Sequence, residues 1–175
     1  ALIFSNSNNE AFENDEQRAA FRRFIQAGGG FVGIHSACGS ERQWPYYWAM
    51  LGGKFRWHPK LQPFTLHVLD KTHPATAHLG DTWEWEDEFY FMDHLNPGMH
   101  VLLAGDLTTI TAPGREKYPG TVFGDRFPLA WCQEYDGGRQ FYTALGHKIE
   151  CYSNPAFRQH VLGGILWCLN RKTAP

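Results

Sequence analysis

His35, Ser36 and Cys38 follow directly on the short apolar run Phe31 to Ile34, which is bounded by Gly28-Gly29-Gly30 on one side and Gly39 on the other. An imidazole can bind a metal or move a proton near neutral pH, and a hydroxyl or thiol becomes a nucleophile when a base activates it. A lone histidine is more often structural. Position is what singles this group out. A four-residue apolar run between glycines suits a strand covered on both faces, and in sheets flanked by helices ligands bind at the carboxyl ends of the strands.

Further candidates lie along the chain. His58 precedes Pro59, which holds it out of helix geometry. In Trp83-Glu84-Trp85-Glu86-Asp87-Glu88-Phe89-Tyr90 the carboxylates interleave with large aromatics. Period two sets Trp83, Trp85, Asp87 and Phe89 on one side and Glu84, Glu86, Glu88 and Tyr90 on the other. Most of these acids face solvent, but one held against aromatics is a candidate for a raised pKa or for metal ligation. Gly146-His147 closes another predicted strand.

The elements that must position these groups follow from pattern. Leu2 to Ser5 reads as a strand, and Asn6 to Asn9 as a polar loop suited to the lip of a crevice. Asn14 caps a helix, with Gln17 completing a capping box and Ala20, Phe21, Phe24 and Ile25 on its apolar stripe. With Phe31 to Ile34 this makes a β-α-β unit, whose right-handed crossover makes the two strands parallel. Pro45 opens a short helix that ends at Gly52-Gly53, with Trp48 and Leu51 directed to the core. Strands are predicted at Phe64 to Leu69, His100 to Ala104, Pro128 to Tyr135 and Gln140 to Leu145, the last two joined by a hairpin at Asp136-Gly137-Gly138. Thr108 to Arg126 reads as a loop. The last helix is capped by Asn154 and buries Phe157, Val161, Ile165 and Cys168, with Gly163-Gly164 allowing close approach to the sheet.

Composition narrows the function classes. The 175 residues are 43% hydrophobic and 19% charged, which suits one folded domain. A net charge of −2 and a pI near 6.5 give no footprint for nucleic acid. No run is long enough to span a membrane, no signal peptide opens the chain, and a cytoplasmic protein, or part of a larger exported one, is expected. Cys38, Cys132, Cys151 and Cys168 lack C-x-x-C spacing and read as reduced thiols. Aromatic residues at 15%, many among polar neighbours, suit sugar rings as well as cores.

Taken together, several segments resemble the ThuA-like (trehalose utilisation) family, which shares the class I glutamine amidotransferase-like fold. They are Gly28 to Ala37, Trp44-Pro45 with Tyr47, Phe55 to Pro59, His73-Pro74, Asp87 to Tyr90, Pro128 to Trp131, Gly138 to His147, and Phe157 to His160 with Gly164 to Trp167. The resemblance implies an α/β fold, a three-layer flavodoxin-like sheet flanked by helices, spanning residues 1–175 as a single domain. Family members carry β-α units ahead of the strand at Leu2, and without them that strand should form an open sheet edge, covered by a missing N-terminal segment or by a second copy in a homo-oligomer. In amidotransferases of this fold the turn after the strand presents a cysteine in G-x-C-x-G. Here Gly33-Ile34-His35-Ser36-Ala37 places His35 there, so amidotransferase chemistry is disfavoured.

The resemblance also brings His35, His58, Glu88 and His147 together, with Tyr90, Trp131 and Arg139 nearby. It implies a carbohydrate-active enzyme acting on a disaccharide or a keto-sugar derived from one. His35, His147 and Glu88 are its expected acid, base and carboxylate. Trp131 or Tyr90 is the expected sugar platform, and Arg139 either holds a polar substrate group or pairs with a neighbouring acid. A divalent metal such as zinc, on His35, His58 and Glu88, is a further expectation. Two readings stand beside it: a non-catalytic sugar-binding or scaffolding domain, and a thiol hydrolase using Cys38, which needs a histidine within reach of the sulfur.

Overall fold

A computed structural model of the chain describes residues 1–115 and 124–170. In chain order the elements are β1 (Leu2–Ser5), α1 (Asp15–Gln26), β2 (Phe31–Ile34), α2 (Pro45–Leu51), β3 (Lys54–Trp57) and β4 (Gln62–Val68). They continue with β5 (Thr82–Asp87), β6 (Phe91–Asp93), β7 (His100–Asp106), β8 (Arg126–Tyr135), β9 (Gly138–Thr143) and α3 (Pro155–Cys168). The main sheet runs β1-β2-β9-β8-β7-β4-β5, and β3 pairs with β6 in a separate ribbon. The pairs β1–β2 and β2–β9 are parallel, and the remaining pairs of the main sheet are antiparallel.

The sheet is a mixed one. Parallel pairing is confined to the three strands that carry the β-α-β unit and its neighbour, where helices cover both faces. On one face Phe21 of α1 and Tyr47 of α2 meet Phe31, at ring-centroid distances of 5.6 and 5.9 Å. On the other, α3 lies so close that a Cβ at Gly164 would collide with the Phe141 ring, and one at Gly163 with the backbone of Pro74. This is the three-layer arrangement the sequence predicts.

Local signals account for most boundaries. The Asn14 side chain accepts from the Gln17 N–H at 3.0 Å, a cap worth about 1 kcal/mol. The Gln17 amide reaches back one residue beyond the cap, to the Glu13 N–H at 2.8 Å. Asp136 and Gly137 have φ of 49° and 92°, the left-handed pair that a two-residue hairpin turn requires. The ribbon of β3 and β6 has no counterpart in the sequence reading, because three- and four-residue strands show too little alternation to register. Of the predicted loop Thr108 to Arg126, residues 116–123 lie outside the described residues.

β1 sits at the sheet edge and pairs with β2 alone among the described residues, as expected for an open edge. Leu2 and Ile3 are 37% and 44% exposed there. The predicted stripe of α1 is only half buried: Phe21 and Ile25 are inside, whereas Ala20 and Phe24 are at the surface beside Leu2. Trp48 is half-buried and stacks on His94 at 4.5 Å instead of entering the core.

Three histidines gather where α3 meets the loop after β4. His160 is fully buried and donates from Nδ1 to the Ala75 carbonyl at 2.8 Å, and burial lowers its pKa to about 4. His73 is likewise lowered to about 4 by burial, and His78 donates from Nε2 to the Ala156 carbonyl. His160 and His73 are neutral in the fold but protonate near pH 6.5 once unfolded, so stability is complete above pH 6.5 and is lost as pH falls toward 4. For His160 the loss approaches about 3 kcal/mol. Urea midpoints measured from pH 7.5 to 4.5 should fall steeply, and His160→Phe should flatten the slope.

Candidate active site

The site is assembled at the end of β2. His35 takes φ = +51°, unusual for a residue with a side chain, and opens the tight turn His35–Gly39. Three contacts hold it. The Tyr142 hydroxyl donates to the His35 carbonyl at 2.8 Å, His35 Nδ1 bonds the Ala144 carbonyl at 2.8 Å, and Tyr90 lies over the ring at 4.4 Å. Because a carbonyl only accepts, Nδ1 carries the proton and Nε2 presents a lone pair. The Tyr90 hydroxyl donates to that lone pair at 2.7 Å. His35 is 2% exposed, and burial lowers its pKa against the opposing pull of the Ala144 carbonyl and of Asp87 and Glu88. It is therefore a neutral imidazole at pH 7.

Glu88 and His147 complete the group. His35 Nε2 lies 3.3 Å from Glu88 Oε2 and 3.2 Å from His147 Nδ1, and His147 Nδ1 lies 3.4 Å from Glu88 Oε2. His58 approaches the other carboxylate oxygen, with Nε2 at 3.7 Å from Oε1, while its Nδ1 donates to the Pro59 carbonyl at 2.8 Å. The expected set of His35, His58, Glu88 and His147 thus converges. The close triad is the set expected for the acid, base and carboxylate, whereas the set expected for a metal had His58 in place of His147; His58 follows β3 and stands one step further out.

Asp87 positions two members of the triad. It is fully buried, and its Oδ2 accepts from the Gly146 N–H at 2.8 Å and the Trp85 indole at 3.0 Å. Its Oδ1 accepts from the Glu88 N–H at 2.9 Å, and the His147 N–H lies 3.4 Å from Oδ2. The period-two reading is right through β5, which ends at Asp87. Glu88 then turns into the site.

The triad forms one end of a cavity of about 440 Å³ whose other walls include Asn6, Asn8, Ser36, Arg42, Phe55 and Tyr90. Arg42 is held by the Gly39 carbonyl and Asn8 Oδ1, both at 2.9 Å, and its guanidinium lies over Phe55 at 5.4 Å. The Asn6 to Asn9 loop is at the lip, as its composition suggested. Phe55 opens one of the segments that carry the family resemblance but was given no role in the site, and Arg42 sits in no pattern that distinguishes it from an ordinary surface residue.

Two predicted binding residues are elsewhere. Trp131 is fully buried, donates to the Leu51 carbonyl at 2.8 Å and packs on Tyr142 at 4.6 Å; it is a core residue beneath the site and offers no face to a sugar. Arg139 pairs with Glu134 at 3.0 Å and donates to Asn170 at 2.7 Å, so the ion-pair alternative holds and it does not line the cavity. Tyr90 does line it, but its ring is packed between His35 and Phe55 at 4.4 and 4.7 Å, leaving the hydroxyl as its working part. Cys38 is buried; its sulfur, 3.0 Å from the Tyr142 hydroxyl, shares that group's one proton with the His35 carbonyl and gives its own proton to that carbonyl at 3.4 Å. Burial pushes its thiol up to about 12, and no imidazole reaches the sulfur, which removes the thiol-hydrolase reading.

Fold and site together define an α/β protein with a histidine–carboxylate centre at the carboxyl end of its parallel strands. The family model for ThuA, trehalose utilisation, matches residues 1–168, and the chain belongs to that family. Among solved structures it is similar to a putative ThuA-like protein from Parabacteroides merdae, with 21% identity and a TM-score of 0.71 over 99% of this chain and 71% of that one. A putative ThuA-like protein from Bacteroides uniformis gives 22% identity and a TM-score of 0.72 over 94% and 68%. The α-L-fucosidase isoenzyme 2 from Paenibacillus thiaminolyticus gives 15% and 0.60 over 96% of this chain and 24% of that one. These likenesses establish the fold. No curated protein sequence matches. Among the described residues no helix is long and apolar enough to cross a membrane.

Proposed function

We propose that this protein is a carbohydrate-active enzyme of the ThuA type that works on a disaccharide or keto-sugar derivative at His35, Glu88 and His147. The observation that carries this reading is the convergence of three donor atoms from three separate segments into a polar cavity, each 3.2 to 3.4 Å from the others. Structural packing alone gives no reason to crowd two imidazoles on a carboxylate.

The donor set suits a divalent cation such as zinc. Four-coordinate zinc with bonds of about 2.0–2.1 Å keeps its ligand atoms about 3.3 Å apart. That matches the observed spacing, and the Nδ1–H bond of His35 to a backbone carbonyl is the usual outer anchor of a metal-binding imidazole. His35 Nε2, Glu88 and His147 Nδ1 would hold the ion, with His58 next in line. Bound there, a cation supplies Lewis-acid polarisation of a sugar oxygen. The chain's own groups do the rest. Asn6, Asn8 and Arg42 offer hydrogen bonds to hydroxyls, and the Tyr90 hydroxyl, which gives up the Nε2 lone pair of His35 when a cation takes it, is freed to donate to a ligand.

The alternative of a non-catalytic domain draws on the fucosidase, in which a fold of this kind makes up about a quarter of the chain. A dedicated sugar-binding surface, however, has no use for a buried neutral imidazole facing a carboxylate. Elemental mass spectrometry on the purified protein tests the metal directly. One equivalent of metal is expected in the wild type, with most of it lost in both His35→Ala and His147→Ala at unchanged circular dichroism. A folded wild type that stays metal-free after reconstitution would remove the metal from the proposal and leave acid–base chemistry to be judged by turnover of a keto-disaccharide.

A further inference from the structure

A second hollow, of about 710 Å³, adjoins the His35 cavity, and His58 lines both. Its other walls include Trp57, Pro59, Thr111 and Pro113, with Lys60 at the rim and no carboxylate among the described lining residues. The two compartments differ in kind: the first is crowded with hydrogen-bonding and titratable groups, the second is mostly apolar. Each falls within the roughly 300–1,000 Å³ of small-molecule sites.

The groove is built on fixed parts. Trp57 stacks on Phe91 at 5.5 Å with the planes 24° apart, which sets the indole before any ligand arrives. Across from it, Gln62 makes a reciprocal pair with the backbone of Thr111: Nε2 donates to the carbonyl at 3.0 Å and Oε1 accepts the N–H at 2.7 Å. The far wall is thereby pinned to β4. An indole beside two prolines suits an uncharged ring with an apolar face, such as the carbon face of a sugar or an aromatic ring.

We infer that this groove is the subsite for the aglycone of a glycoside whose sugar sits at His35, with His58 at the junction between the two rings. The inference rests on the reading of the His35 cavity as a sugar site. What fixes the occupant is the continuity through His58: a ring in the groove and a sugar in the cavity would both touch that imidazole, the juxtaposition that two rings joined by one glycosidic link would make.

Affinities of methyl glucoside, phenyl glucoside and trehalose, measured by calorimetry, test it. The wild type is expected to bind phenyl glucoside, trehalose or both at least tenfold more tightly than methyl glucoside. A gain for trehalose alone identifies the second ring as sugar, and a gain for phenyl glucoside alone identifies it as aryl. Trp57→Ala should abolish that gain and leave methyl glucoside unchanged. Thr111→Trp, which fills the groove from an exposed position and leaves Trp57 and Phe91 themselves unchanged, should do the same and decides the matter if Trp57→Ala does not fold. Equal affinity for the three compounds in the wild type, or a gain that survives Thr111→Trp, overturns the subsite and leaves the sugar cavity standing. Should none of the three bind, the same comparison with the corresponding keto-glucosides decides: no binding there either overturns the sugar reading, and the subsite with it.

Discussion

Asp87→Ala is expected to cost about 3–5 kcal/mol of folding stability, read as a shift in the urea midpoint at constant slope. The side chain is wholly buried and, among the described residues, hydrogen-bonds no basic side chain; its carboxyl oxygens accept from the N–H groups of Gly146, Glu88 and Trp85 at 2.8 to 3.0 Å. Alanine leaves all three donors without an acceptor, and each buried orphan costs about 1–3 kcal/mol before relaxation. Asp87→Asn keeps the shape but turns an NH2 group against one set of donors, so it should be milder in stability. It should still impair the site, because the same contacts set Glu88 and place His147. A loss below about 1 kcal/mol for the alanine variant would show that water satisfies these donors instead.

The second large effect is chemical. His35→Ala should reduce keto-disaccharide turnover by at least about 10³-fold with the fold retained, the upper part of the range for removing a positioned acid–base group. The pH profile gives its own signature. Burial lowers the pKa of His35, so its neutral form persists below the ordinary histidine value of 6.5. The acid limb of kcat/KM should therefore fall below pH 6.5. Full turnover in the alanine variant would place the chemistry elsewhere, and activity that instead declines as pH rises toward 6.5 would mean that His35 works in its charged form.

The sequence made the glycine-bounded strand, both capped helices and the Asp136-Gly137 hairpin readable because each rests on a local rule, a cap or a left-handed turn. The convergence of His35, Glu88 and His147 was legible only through the family's motifs, since their ring and carboxylate atoms meet across separations of 53 to 112 positions. Trp131 was misplaced for an instructive reason. A tryptophan near a polar motif looks the same in sequence whether it faces a sugar or lies beneath the site, and here its indole N–H is spent on the Leu51 carbonyl. Arg42 carried no signal at all, because what makes it a cavity residue is the fold of the turn before it.

The backbone of His35 has one more consequence. Holding a side-chain-bearing residue at φ = +51° costs on the order of 1–2 kcal/mol, a cost glycine would avoid. Conformational ease and the imidazole are therefore in conflict at this position. Glycine would relieve the backbone but would leave the Ala144 carbonyl and the Tyr90 hydroxyl without their partner and a hole where a buried ring had been, so selection for heat resistance alone would keep the imidazole, and the strained turn persists because the packing around it offsets the strain.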